Sequence, residues 1–493
     1  MKRIALIVFA MAVVAIANAQ IESDWAAKMK EAHDKTMQDY EQYRQQVLQD
    51  YENFRQQINA DYARFMEEAW KPFSAQPKEE MPWQPKPPQP TVAAPDVRPT
   101  ANPIPFEGKP LPPKPIEEQP QPVEPIKVPT RPVEKGEYVY FYGTPLLFHF
   151  DKSISKLHLN DVSEKSVSDL WLEMADPKYD NIIAECLQHR TEKDLCDWAY
   201  IMLTEMVAEK CCGGHTNEAV ALHMYLLTQS GYQMRIGRAD DRLCVLVGSD
   251  EKIYHYKYFM IDGVKYYNFD ISLEDKPFCI FNHAFPNEKT MSLRMRQPKL
   301  AVELTEPRTI VSKRFPDVKA TIELNKNLID FYNGYPLSAN WPYYSETSLS
   351  ETLKECLYPV LRKAIEGKSQ SEAANILINF VQTDFAYATD QEQFGYERPL
   401  FPDETFYYPF CDCEDRAILY SCLVRELLGL DAVLLNYPSH LATAVRFTDN
   451  VSGDYLTIES EKYVICDPTY IGASIGMCMP DLKMVTPKVE RIR

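Results

Sequence analysis

A mixed α+β fold is what this sequence predicts, built as two copies of one helix-and-strand unit behind a long helix and a proline-rich linker. Three observations point there. Helical periodicity gives way to strand-like stretches twice along the chain, an 11-residue repeat fills the early part, and 20 of the 37 prolines fall within residues 72–132. A chain of 493 residues suits about three domains. Its 45% hydrophobic and 12% aromatic content is enough for a buried core.

Residues 1–19, MKRIALIVFAMAVVAIANA, join two cations, an apolar run and Ala17-Asn18-Ala19, the pattern of a cleaved signal peptide. The expectation is an exported protein, periplasmic or secreted. No transmembrane anchor is expected after cleavage, because no later segment approaches the ~20 apolar residues of a span. A net charge of −18 argues against nucleic acid, whose phosphates need a basic partner.

Residues 20–71 are expected to form one long amphipathic helix. YEQYRQQVLQD, YENFRQQINAD and YARFMEEAWKP follow one another at a period of 11. Eleven residues make three turns, so the apolar stripe stays on one face of a nearly straight helix. Residues 22–70 offer that stripe for self-association or for packing on another surface. Residues 72–135, with PKPPQP and PLPPKP, cannot bury a core and suit an extended, semi-rigid spacer.

The body is expected as a first copy over 136–275, a strand-rich connection over 276–345, and a second copy over 346–493. CEDRAILYSCLVRELLGLDAVLL (413–435) lies without a gap over HTNEAVALHMYLLTQSGYQMRIG (215–237), setting Ala417 on Ala219 and Gly429 on Gly231. Each glycine stands where a helix is expected to have just ended. HLATAV (440–445) then lies over RLCVLV (242–247), and YVICD (463–467) over YYNFD (266–270).

The copies differ where chemistry would sit. The second has Cys413, His440 and Asp467; the first has His215, Arg242 and Asp270. A thiol nucleophile needs a base, and the base needs an acceptor that fixes its tautomer. Cys413 in the first turn of a helix would lie in the positive end of the macrodipole. His440 is the last histidine of the chain, leads a strand, and could take the thiol proton and later return it to a leaving amine. Asp467, at the end of the next strand, would hold the second ring nitrogen. Backbone N–H groups at the helix start would face the oxyanion, with Gln382 of FVQTDF as candidate second donor. Glu414 and Asp415 are expected as helix-start charges. The 12 cysteines form no C-x-x-C pair, so neither a metal site nor a cofactor is expected. Cys186, Cys244 and Cys422 fall in apolar patterns and suit burial.

Cys413-x-Asp415-x-Ala417 opening a helix, His440 on a strand and Asp467-Pro468-Thr469 after the next resemble the transglutaminase-like cysteine peptidase superfamily. The resemblance covers roughly residues 350–475, with a faded echo over 175–271. It implies two tandem papain-like domains, the first degenerate, and acyl transfer through a thioester on a peptide or protein substrate. The sequence departs from that pattern with Phe410-Cys411-Asp412 before the nucleophile and Leu441 after the histidine. The function expected is therefore an exported thiol enzyme that cleaves or transfers amide acyl groups, hydrolysis favoured. The alternative is a non-catalytic cell-envelope scaffold or binding protein using both domains.

Overall fold

The computed structural model describes residues 30, 35, 37, 38, 40–82, 120–122, 136–150, 153–273 and 275–492. The signal peptide expected over 1–19 and most of the proline-rich stretch lie outside them. Two compact units divide the chain, Met1–Arg64 and Phe65–Arg493. No helix among the described residues is long and apolar enough to cross a membrane.

One helix, α1, runs over residues 40–66. Pairs four apart support it, Gln46 donating to Asp50 (2.8 Å) and Gln57 to Asp61 (3.0 Å). Tyr40, Tyr43, Tyr51 and Phe54 of the repeat are exposed. The helix stops short of residue 71, and the first residues of the expected spacer are not a free extended linker. Lys71–Phe73 instead form a strand, β1, and Gln76 bridges to Tyr258. Pro72 cannot donate to a ladder, which suits an edge strand.

The second unit continues with a hairpin, β2 (Glu137–Phe141) and β3 (Thr144–Phe148), closed by Tyr142 and Gly143 in the left-handed region. Four helices follow: α2 (Glu164–Met174), α3 (Asp180–Glu192), α4 (Asp197–Cys212) and α5 (Asn217–Gln229). Then come β4 (Met234–Ala239), β5 (Arg242–Ser249), β6 (Tyr258–Ile261), β7 (Val264–Asn268) and β8 (Phe278–Phe281). With β1 they make a six-stranded sheet ordered β1-β8-β4-β5-β7-β6.

The connection is less strand-rich than expected. Its first strand, β8, belongs to the preceding sheet. Beyond it lie one hairpin, β9 (Arg308–Val311) and β10 (Lys319–Ile322), and two helices, α6 (Lys326–Asn333) and α7 (Trp341–Glu346). The last half opens with α8 (Glu351–Ile365) and α9 (Gln370–Asp384). Short elements follow: β11 (Ala386–Tyr387), α10 (Asp390–Gln393), α11 (Pro402–Tyr407) and β12 (Phe410–Cys411). The helix α12 (Cys413–Leu423) runs into a wide turn over Val424–Leu428 and ends at Gly429, φ 65°. The strands β13 (Asp431–Tyr437), β14 (His440–Arg446), β15 (Tyr455–Ile458), β16 (Glu461–Cys466) and β17 (Lys488–Arg491) complete it.

The second sheet is ordered β15-β16-β14-β13-β17, the order of the first without its β1 edge. The registers also agree. Ala239 pairs with Arg242 as Tyr437 pairs with His440. Val247 pairs with Tyr267 as Val445 pairs with Val464. A slip of one residue would turn every side chain to the opposite face, so matched register means matched faces.

Period-two alternation divides the last sheet between two apolar layers. Leu434, Val445 and Val464 point into a core with Leu353, Leu377, Leu419 and Leu423 of the helices. Val433, Leu435, Ala444 and Ile465 face the other way, onto Cys478, Leu482 and Val485 of the tail. Each such Leu or Val stabilises the fold by about 1.5–3 kcal/mol. Truncating Leu434, fully buried, to Ala is expected to lower unfolding free energy by about 2–5 kcal/mol in urea titration. The same change at Met484, 82% exposed, should stay within about 0.5 kcal/mol.

Candidate active site

The first turn of α12 is built by acids. Asp415 accepts the Asp412 N–H on one oxygen (3.1 Å) and the Leu400 N–H on the other (2.9 Å). That satisfies an otherwise orphaned helix-start donor and pins an incoming loop. Asp415 is thus a structural charge. All of Cys413–Leu423 is buried, including Arg416, whose guanidinium donates to the Phe385 carbonyl at 2.8 Å.

Cys413 is 2% exposed, and its thiol donates to the Glu414 carboxylate at 3.3 Å. Glu414 therefore touches the sulfur, a contact that its reading as a helix-start charge missed. The only signal was its adjacency in sequence. Burial pushes the thiols of Cys411, Cys422, Cys466 and Cys478 up to about 12, so each stays protonated at neutral pH. Cys186, Cys244 and Cys422 are buried, as their apolar settings suggested.

His440 and Asp467 meet: His440 Nε2 lies 2.9 Å from Asp467 Oδ2, both residues 2% exposed. The other carboxylate oxygen accepts the N–H groups of Thr469 (2.9 Å) and Tyr470 (3.2 Å). An ionised carboxylate only accepts, so in the neutral ring Nε2 carries the proton and Nδ1 the lone pair. Nδ1 is buried with no hydrogen-bond partner among the described residues. The ring of Tyr437, the cross-strand partner, stacks on the imidazole with centroids 6.5 Å apart.

The chain turns back after α12 into β13, and β14 is antiparallel to β13, so β14 runs in the same sense as the helix it packs on. Two turns into α12 the Tyr420 hydroxyl meets the thiol of Cys466, the cross-strand partner of Thr443. Seven helical residues back to Cys413 and three strand residues back to His440 each cover ~10 Å. Cys413 and His440 therefore lie at the same end of their layers.

Gln382 has a different task from the one expected. Its Nε2 faces the carbonyls of Tyr470 (2.9 Å), Ala473 (3.0 Å) and Asp467 (3.3 Å), and its Oε1 accepts from Gly472 N–H (3.3 Å). Both amide protons are committed to the loop that carries Asp467, which leaves none for an oxyanion.

In the first half Arg242 Nη2 binds Asp270 Oδ2 at 2.9 Å, in the place of the His440–Asp467 contact. His215 stands before the N-cap Thr216, outside α5, with Nδ1 2.8 Å from Glu209 and Nε2 4.0 Å from Asp270. All three of these residues border a cavity of about 440 Å³. A guanidinium cannot serve as a base. Comparison with family models, with curated proteins and with solved structures found no match.

Replacing Gln382 by Leu is expected to lower stability by about 1–3 kcal/mol, because buried carbonyls lose their donor. Hydrogen exchange should show the Gly472 amide losing protection while β13 and β14 keep theirs.

Proposed function

We propose that the chain is an exported thiol enzyme of the transglutaminase-like class, acting on peptide or protein amides with hydrolysis favoured. In this reading the thiol proton passes from Cys413 Sγ to His440 Nδ1, and the thiolate attacks the amide carbonyl carbon. The N–H groups of the first turn of α12 face the oxyanion. His440 returns the proton to the leaving amine as the C–N bond breaks. Water then attacks the thioester, giving a proton to Nδ1 that restores the thiol as the acid departs. Asp467 holds the imidazole throughout. The single observation that carries the reading is the buried, unpartnered Nδ1 of His440, with Asp467 fixing its tautomer at the end of the layer where Cys413 begins α12. Within the same reading the two halves are tandem papain-like domains, and the first, with Arg242 in the base position, is degenerate.

One observation favours the scaffold or binding-protein reading. Cys413 and His440 are each 98% covered, and the thiol is turned to Glu414 rather than to the imidazole. Catalysis then requires a rotation of the Cys413 side chain and an opening above it.

Iodoacetamide labelling, followed by peptide mapping, separates the two. The enzyme reading expects Cys413 to label well ahead of Cys411, Cys422 and Cys466, and His440→Ala to slow it about 10²–10⁴-fold. Labelling of Cys413 no faster than those thiols, or indifferent to His440→Ala, would leave the binding reading.

A further inference from the structure

The cavity of about 440 Å³ in the first half lies where the second half has its His440–Asp467 pair, because Arg242 and Asp270 border it. It is open where that pair is covered. The His215 and Arg242 side chains keep 45% and 40% of their surface, against 2% for His440. A ligand entering the cavity therefore meets atoms it can reach.

The walls are apolar. Met202 of α4, Val245 of β5, Tyr256, Phe269 and Ile271 line the space, and each keeps some exposed surface. The Phe269 ring lies 4.8 Å from the Tyr256 ring and 4.8 Å from that of the buried Trp198, which makes one aromatic wall. Ile271 is 67% exposed. A concave apolar space with a few convergent polar groups is the usual form of a small-molecule site.

Charge at this cavity is not balanced. Glu205 and Glu209, one turn apart on α4, and His215 bring polar atoms within 4.8 Å of one another. The Arg242 guanidinium donates to Asp270 and to Ser272, each at 2.9 Å, and His215 Nδ1 faces Glu209 at 2.8 Å. Glu205 is exposed and lines the same cavity, yet it has no hydrogen bond or ion pair among the described residues. One carboxylate is thus left without a cation beside an aromatic wall.

We propose that this cavity binds a primary ammonium carried on an apolar body. The Glu205 carboxylate accepts the N–H groups of the ammonium, a charge-assisted contact. The aromatic wall takes the hydrocarbon and adds attraction for the cation. An anionic ligand is disfavoured, because Arg242 and His215 already face carboxylates and Glu205 would repel it. A bare divalent ion would use the acids and leave the apolar wall uncovered. Binding requires no thiol, so the proposal does not depend on the Cys413 chemistry.

The test titrates the full chain by calorimetry and saturation-transfer NMR with phenethylamine, its neutral analogue phenethyl alcohol and its anionic analogue phenylacetate. Nα-acetyl-lysine N-methylamide and Mn²⁺ are run alongside. The expected result is saturable binding of an ammonium compound, about tenfold or more tighter than the alcohol. Preference for phenethylamine assigns a free amine, and preference for the lysine derivative assigns a peptide side chain. Glu205→Gln, at an exposed position, and Phe269→Leu, which keeps an apolar side chain, should each weaken binding about fivefold or more. Cys413→Ser should leave it unchanged, even if thiol labelling refutes the enzyme reading. Equal binding of the alcohol, binding of phenylacetate or Mn²⁺ with neither ammonium compound, or a Glu205→Gln chain that binds as the wild type does would overturn the proposal.

Discussion

Asp467 is the carboxylate on which the last half of the molecule turns. One oxygen receives the His440 imidazole and the other the N–H groups of Thr469 and Tyr470. Its own carbonyl and those of Tyr470 and Ala473 face the Gln382 amide of α9. A single side chain thus joins the end of β16, the start of β14 and the loop between sheet and helix. Because an ionised carboxylate can only accept, it holds the proton of a neutral imidazole on Nε2.

The first half shows how much of that arrangement belongs to the fold and how much to the chemistry. Strand order and register are the same, and Asp270 still takes a donor from the strand below at 2.9 Å. Arg242 fills the donor role but cannot exchange its proton at any relevant pH. Both sheets thus set a basic side chain against the aspartate at that position. The helix starts at Asn217, which leaves His215 outside its first turn.

Around α12 the chain gathers an unusual density of buried acids. Asp415 caps the helix, Glu414 holds the sulfur, and Asp390 and Glu397 lie against Glu414. Carboxylates near a helix N-terminus are favoured by its dipole. Arg398 stands at the rim of this group, its backbone N–H on Asp390 and one guanidinium nitrogen on Glu404.

Local spacing determined a good deal by itself. The offset between the two halves, visible in Ala219 and Ala417 and in the two glycines after the helices, set the duplication, and both sheets carry it in register. Gly231 and Gly429 are in the left-handed region that ends a helix. Cys413 opens its helix, His440 its strand, and Asp467 follows the next strand, because period and turn residues act over a few positions. Tertiary structure decided the rest. Residues 71–73 leave the expected helix and spacer to pair with β8, some 200 residues on, and β8 itself leaves the connection for the first sheet. Gln382 is claimed by a loop about 90 residues away, Glu414 turns to the sulfur, and His255 and Arg398 line one cavity. A side chain's hydrogen-bond partner depends on which distant segment packing brings within 3 Å or so. No local period encodes that, whereas a residue's place on a helix or strand is set by the few residues around it.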